Sequence, residues 1–272
     1  MAQRVFVSGS SDGLGLATAR ALIDEGAEVV VHARSQARAA GLREALPDAA
    51  DVLVADLASR EQTFALAEQA NALGRFDAVI HNAGVGFREP RRVPTPEGHA
   101  HVLAVNVLAP YILTALMHRP DRLVYLSSGM HSWGDPDLGD VDWLTRRWDG
   151  AQAYSDSKLL DTALCFALAR RWPEVICNSV SPGWVATKMG GAGAPDDLAL
   201  AHVTQVWLAL SDAAAAMRTG RLLKHQEEIA AAPAARDEAF QESLLSTLTE
   251  LTGVVLDGAE RSVGEDAWRL SA

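Results

Sequence analysis

The chain has 272 residues, 49% of them hydrophobic, with 24 Lys and Arg against 35 Asp and Glu, a formal net charge of −11. That is enough apolar material for a sizeable core and unlike the composition of a disordered chain. The acidic balance, with no long run of one sign, argues against a nucleic-acid surface and against attachment to an anionic membrane; a small anion held by a few local donors stays open.

In chain order, short apolar runs alternate with longer helical patterns. Strands are predicted at "RVFVS" (4–8), "EVVVH" (28–32), "DVLVA" (51–55), "FDAVIH" (76–81), "RLVYLSS" (122–128) and "VICNSVS" (175–181). Between them, helices are predicted near 14–25, 35–46, 59–73, 97–118 and 152–171. The alternation predicts βαβ units and a parallel sheet, and the near-continuous apolar character of the strands suits cover on both faces. Gly26 and Gly74 stand where helix C-caps are expected. After Ser181 comes a glycine-rich stretch, with 186–200 read as a substrate-side loop. A helix near 197–211, a strand at "RLLKH" (221–225) and a C-terminal helix over 233–252, opened by Pro233, follow it. With no internal repeat and no linker, residues 1–272 are expected to form one α/β domain. Its predicted architecture is a doubly wound, Rossmann-like parallel sheet of about seven strands with helices on both faces.

The two cysteines, Cys165 and Cys177, are too few for a disulfide framework or a zinc site. They read as small buried residues in a reducing compartment, and no metal is expected. The N-terminus lacks the longer apolar region of a secretory signal, and no stretch of about 18 uncharged apolar residues offers a spanning helix. A cytoplasmic protein without membrane contact is the expectation.

The first strand runs into "SGSSDGLG", which places Gly9, Gly13 and Gly15 in front of a helix. A turn this tight needs residues without Cβ, and it turns backbone N–H groups and the positive helix end toward an anion. Its place between the first strand and first helix of a βαβ chain makes a dinucleotide site the reading, although the spacing is G-x-x-x-G-x-G. An acid at the end of the second strand would bond the ribose hydroxyls of NAD. Here Arg34 stands there, with Arg38 one turn on, which favours NADP(H) over NAD(H). Asp12 in the same loop adds an opposing charge.

In "AYSDSK", Tyr154 and Lys158 lie four apart and share a helix face. A phenol with an ordinary pKa near 10 exchanges protons poorly at neutral pH, and a neighbouring ammonium stabilises its anion. The spacing alone also fits an ordinary surface helix.

These motifs in this order resemble the short-chain dehydrogenases/reductases, from Val5 to about Met189. "SGSSDGLG" is similar to the glycine loop of that family, "ADL" at 55–57 to the segment whose acid bonds the adenine, and "HNAG" at 81–84 to its Asn-Asn-Ala-Gly, with His81 replacing the first Asn. Asn106 in "VNVLAPYIL", the serine pair of "LSSGMH", "YSDSK" and "SPGWVAT" (181–187) continue the pattern. The resemblance implies a catalytic tetrad of Asn106, Ser128, Tyr154 and Lys158. Tyr154 would be general acid and base, and Lys158 its tuning charge and a ligand of the nicotinamide ribose. Ser128 would hold the substrate oxygen, and Asn106 would position a water leading to Lys158. It implies cofactor contacts from Gly9, Ser11, Asp12, Gly13, Leu14, Gly15, Arg34, Asp56, Leu57, Asn82, Ala83, Gly84, Tyr154, Lys158, Pro182, Gly183, Val185 and Thr187, the last two on the carboxamide.

The 25 residues between Ser128 and Tyr154 are more than ordinary members carry, and the insertion over 129–152 resembles the retinol-dehydrogenase-like and carbonyl-reductase branches. Trp143 and Trp148 are expected to pack it onto the domain. Met130, Trp133 and Trp184 flank the catalytic segments and are candidates for an apolar substrate pocket. His131 reads as a local hydrogen-bonding residue. The resemblance implies an oxidoreductase acting on a small carbonyl compound or its alcohol, with an apolar ketone or aldehyde favoured by the tryptophans. The oligomeric state stays open: a homo-oligomer is one reading, and the insertion precedes the helix by which many family members dimerise, where it could obstruct that interface. The competing reading is a regulator that binds NADP and senses redox state without catalysis; it would need the glycine loop but no Tyr–Lys pair.

Overall fold

In the computed structural model, which describes residues 2–256, eight strands form one sheet in the order β3-β2-β1-β4-β5-β6-β7-β8. The strands are β1 (Arg4–Val7), β2 (Glu28–Ala33), β3 (Asp51–Val54), β4 (Ala78–His81), β5 (Arg122–Leu126), β6 (Ile176–Val180), β7 (Arg221–Lys224) and β8 (Glu227–Ile229). Every pairing from β3 to β7 is parallel, and β8 runs antiparallel to β7.

Alternation along the strands feeds two cores. Phe6, Val30, Val79, Leu123 and Cys177 point to one face, and Val5, Val7, Val29, Val31, Ile80 and Val124 to the other. The first face is covered by α3 (Arg60–Ala72), α5 (Ala109–Leu116) and α6 (Gly150–Arg171), the second by α1 (Gly13–Asp24), α2 (Gln36–Ala45) and α8 (Val203–Leu210). Phe6 is wholly buried and rests on Phe76; truncating a side chain in such a place costs about 3–5 kcal/mol.

Three differences from the expected elements have local causes. The strand at 221–225 turns back at His225 and Gln226, with φ of 50° and 64°, to form the unforeseen β8. Two positive φ values in a two-residue hairpin are normally signalled by Asn or Gly, which this turn lacks. The helix expected over 97–118 begins later, with α4 (His101–Leu103), and continues through a π-helical turn, Ala104–Leu108, into α5. The C-terminal helix is two, α9 (Pro233–Arg236) and α10 (Glu238–Thr252), because Asp237 leaves the helical path and caps the second by accepting from the Phe240 N–H at 2.8 Å. A short α7 (Leu198–Ala201) likewise precedes α8.

The strand order reverses direction between β1 and β4, and a cleft opens beyond the strand C-terminal ends there. The 129–152 insertion packs beside it, beginning with a 3₁₀ turn over Gly129–Trp133 that rests on α6. Trp143 and Trp148 meet edge to face at 5.5 Å, and Arg146 stacks on Trp143 at 3.6 Å while pairing with Asp156 at 2.8 Å. These two tryptophans hold the insertion to the domain. Among the described residues, no helix is long and apolar enough to cross a membrane. Cys165 and Cys177 are free thiols in the core, 3.4 Å apart.

Candidate active site

The cleft has a volume of about 920 Å³. Its walls begin with the glycine loop at the end of β1. Gly9 has φ of +67° and lies so close to β4's continuation that a Cβ there would stand 2.7 Å from the Ala83 Cα. A Cβ on Gly15 would overlap both Asn82 Nδ2 and the Gly9 carbonyl. The loop is strapped from below: Ser8 Oγ accepts from the Asn82 and Ala83 N–H groups at 3.0 Å, and Asn82 Nδ2 donates to the Ser8 and Gly9 carbonyls. The Gly9 N–H donates to His32 Nδ1 at 3.0 Å, so His32 carries its proton on Nε2, 2.9 Å from the Ala55 carbonyl. Burial pushes that imidazole down to about 4, which keeps it neutral in this role.

Charge collects on the outer side of the loop. Asp12 pairs with Lys188 at 2.7 Å and with Arg38 at 3.0 Å, and the Lys188 hydrogen bond leads in holding its carboxyl below the ordinary range. Asp12 therefore does not face the cleft as a lone charge. Arg34, the residue after β2, is exposed and lines the cleft without an ion pair among the described residues. Asp56 and Leu57 line the same end.

The other end is built by β5 and α6. Ser128 caps the 3₁₀ turn, its Oγ accepting from the Met130 N–H at 3.2 Å, which leaves its own hydrogen available for donation. Tyr154 and Lys158 come from α6, whose residues from Ala153 to Leu168 are all buried. Tyr154 is 7% exposed and faces the cleft with the Phe87 ring edge-on at 5.9 Å. The Lys158 ammonium donates to the Leu126 carbonyl at the end of β5 and lies 3.7 Å from Asp161. Burial pushes the Asp161 carboxyl up to about 7, against the pull of Lys158.

Each residue expected at the site lines this one cleft, with a single exception. Asn106 is 1% exposed, and its side chain serves its neighbours instead. Its Oδ1 accepts from the Val85 N–H at 2.8 Å, and its Nδ2 donates to the Val85 carbonyl at 3.1 Å and to Ser157 Oγ at 2.9 Å. The π-helical turn that contains Asn106 presents the amide to the chain leaving "HNAG". Pro182, Gly183, Val185 and Thr187 line the wall beyond β6, and Thr187 Cγ2 stands 3.5 Å from where a Gly13 Cβ would lie. Of the residues expected to form the substrate pocket, Met130 packs on the core, whereas Trp133 and Trp184 are 69% and 54% exposed and form rims. His131 is a strut: its Nδ1 bonds the Ser128 carbonyl at 2.7 Å, and its Nε2 accepts from the Ala232 N–H at 3.1 Å.

Sequence reasoning missed Phe87, His101 and Met189, which line the cleft as well. The signal for Phe87 lay in "GVGFREP", an aromatic just past the fourth strand and thus at the same sheet edge. Nothing in the pattern pointed to His101 or Met189. Among the described residues, no group of three or more His, Cys, Asp or Glu is arranged to hold a metal ion.

The family model for short chain dehydrogenases matches residues 3–123. An uncharacterized oxidoreductase of Emericella nidulans is 43% identical over 259 residues, 94% of this chain and 99% of that one. The short-chain dehydrogenase chyC of Penicillium rubens is 41% identical over 257 residues, 93% of this chain and 98% of its own. Human retinol dehydrogenase 14 is 33% identical over 213 residues, 68% of this chain and 62% of its own. Among solved structures, an uncharacterized protein from Mycobacterium paratuberculosis shares the fold with a TM-score of 0.77 at 23% identity, covering 93% of this chain and 94% of that one.

Proposed function

We propose a reaction for a chain that belongs to the short-chain dehydrogenase family: hydride transfer between NADP(H) and an apolar ketone or aldehyde, or the corresponding alcohol. The observation that carries this reading is a single cleft that holds the glycine loop, Arg34, Ser128, Tyr154 and Lys158 together. The residues fit a dinucleotide. Gly9 and Gly15 leave no room for side chains at the start of α1, where a helix N-terminus suits an anion, and Arg34 offers a cation at the end of β2.

When bound, the nicotinamide supplies the hydride in reduction and takes it up in oxidation. The protein's part is binding, orientation and the proton. The glycine loop and the N-terminus of α1 hold the pyrophosphate, Arg34 meets the 2′-phosphate, Asp56 takes the adenine, and Val185 with Thr187 fixes the carboxamide. Ser128 Oγ–H donates to the substrate oxygen, giving the charge that develops there a fixed partner. Tyr154 gives its phenolic proton to that oxygen in reduction, and its phenolate takes the proton back in oxidation. The Lys158 ammonium, held by the Leu126 carbonyl, stabilises the phenolate. Asn106 acts one step removed: by clamping Val85 and Ser157 it fixes the chain around Tyr154 and Lys158. Phe87, Met130, Trp133, Trp184 and Met189 give the cleft its apolar wall, which supports an apolar substrate body.

Tyr154→Phe tests the mechanism. It is expected to lose at least about a hundredfold in turnover while still binding NADPH, as followed by nucleotide fluorescence. Unchanged turnover would defeat the assignment, and an NADH preference in the wild type would defeat the cofactor reading.

A further inference from the structure

One acid–base side chain on the substrate wall has no part in that mechanism. His101 is the first residue of α4 and lines the cleft, with Val105 one turn further on beside it. Its Nδ1 is 2.6 Å from Glu89 Oε1. Glu89 lies two residues past Phe87, the ring against Tyr154, so the pair stands on the substrate side of the cleft.

The carboxylate is held in place from its backbone. The Trp148 indole N–H donates to the Glu89 carbonyl at 2.9 Å. Gly150 packs so tightly beneath that a Cβ there would stand 2.5 Å from the Glu89 carbonyl and 3.0 Å from that of Phe87. A fixed carboxylate orients an imidazole and selects its tautomer. Because the carboxylate only accepts, Nδ1 is the nitrogen that carries the proton toward Glu89, and Nε2 is the ring atom left to meet a substrate, an acceptor when the ring is neutral. Nε2 has no hydrogen-bond partner among the described residues, and the other Glu89 oxygen, Oε2, is buried without one.

We propose that His101, oriented by Glu89, is a specificity subsite that accepts a hydrogen bond from a hydroxyl group on the substrate, remote from the carbonyl. This deepens the proposed function and rests on it. The substrate is then a hydroxylated ketone or aldehyde, with an apolar body against Phe87 and Met130. The negative charge of Glu89 behind the imidazole disfavours a substrate carboxylate at the same place.

The test is a panel of benzaldehydes, acetophenones and benzylacetones, each in plain, para-hydroxy and para-carboxy form, assayed by NADPH absorbance. Wild type, His101→Leu, His101→Gln and Glu89→Gln are compared, with NADPH fluorescence confirming that each variant is folded. The wild type is expected to favour hydroxy over plain members by about tenfold in kcat/KM, on the order of one hydrogen bond, and chiefly through KM. His101→Leu collapses that ratio toward one. His101→Gln keeps an acceptor and part of the ratio, and Glu89→Gln weakens it. No hydroxyl preference in the wild type, a preference for the carboxylates, or a ratio unchanged in His101→Leu overturns the subsite alone. If His101→Leu does not fold, the wild-type preference and the His101→Gln ratio decide. Failure of the wild type to reduce any member overturns the proposed function, and the subsite with it.

Discussion

The Lys158 ammonium and the Asp161 carboxylate lie 3.7 Å apart, one turn from each other in α6, with side chains only 6% and 3% exposed. Tyr125 from β5 and Cys165 from α6 face the same carboxylate, and neither offers a charge that would stabilise it. Burial therefore dominates and raises Asp161 from 3.8 to about 7. Between those values the folded protein keeps a proton that the unfolded chain has released, so stability falls as pH rises through that window and is level above it. Asp161→Asn mimics the protonated acid. It is expected to match the wild type near pH ~4 and to exceed it at pH ~8 in urea unfolding. A variant less stable than wild type at the higher pH would show that the ion pair outweighs the burial, contrary to this account.

Two histidines work in the opposite sense. Burial lowers His32 from 6.5 to about 4 and His81 from 6.5 to about 3. Their folded values are depressed, so their stability is present above pH 6.5 and is lost as pH falls toward the folded values. Each steepens the acid limb by up to about 1.4 kcal/mol per pH unit. His81 has a buried Nδ1 without a partner, while its Nε2 bonds Thr114 Oγ1 at 3.0 Å. His81→Asn is expected to flatten the loss of stability between pH ~6.5 and ~5. Parallel unfolding curves for the two proteins over that range would rule this out.

What the sequence made legible was the part written in local order. The glycine loop, "HNAG" and Ser128 each sit next to a strand end, so placing the strands placed them, while Tyr154 and Lys158 were legible from their spacing on one face of α6. Where a side chain is decided by a partner far along the chain, pattern reading fails. Asp12 looked like an unhelpful charge because Lys188, its partner, is 176 residues away. The side-chain partners of Asn106, the Val85 backbone and Ser157, lie 21 and 51 residues away, and the π turn that aims the amide at them is not encoded by hydrophobic period. The hairpin at His225–Gln226 uses positive φ without Gly or Asn, and it hid the last strand.

Gly15 is a more demanding position than the helix start itself requires. A Cβ there meets Asn82 Nδ2 and the Gly9 carbonyl, two groups already bonded to each other at 3.1 Å. Gly15→Ala must push the Asn82 strap off the glycine loop. It is expected to weaken NADPH binding at least about tenfold and to cost about 1–3 kcal/mol of stability, as overpacking does. Binding by nucleotide fluorescence and unfolding by urea measure the two losses, and retention of both would mean the loop yields freely. Gly41, which has open space around the Cβ position, is the control: Gly41→Ala should be neutral or mildly stabilising within α2.

Arg34 and Arg38 look equivalent in sequence, one turn apart, yet they differ in what they can do. Arg38 is engaged with Asp12 at 3.0 Å and reaches Ser11 Oγ at 3.4 Å, whereas Arg34 stands exposed at the cleft end of β2. If a 2′-phosphate is met here, Arg34 is the cation available for it. Hydrogen bonds to charged groups contribute about 1.5–3 kcal/mol, which is roughly a ten- to hundredfold change in binding. Arg34→Ala is therefore expected to lower kcat/KM for NADPH by about tenfold or more. NADH, which lacks the phosphate, should change little, so the ratio of the two cofactors carries the result. Raising ionic strength should narrow the gap in the wild type, because an exposed pair is screened. Arg38→Ala serves as the contrast: it leaves Asp12 held by Lys188 alone beside the glycine loop and should weaken both cofactors. Equal losses of NADPH and NADH in Arg34→Ala would place the phosphate elsewhere.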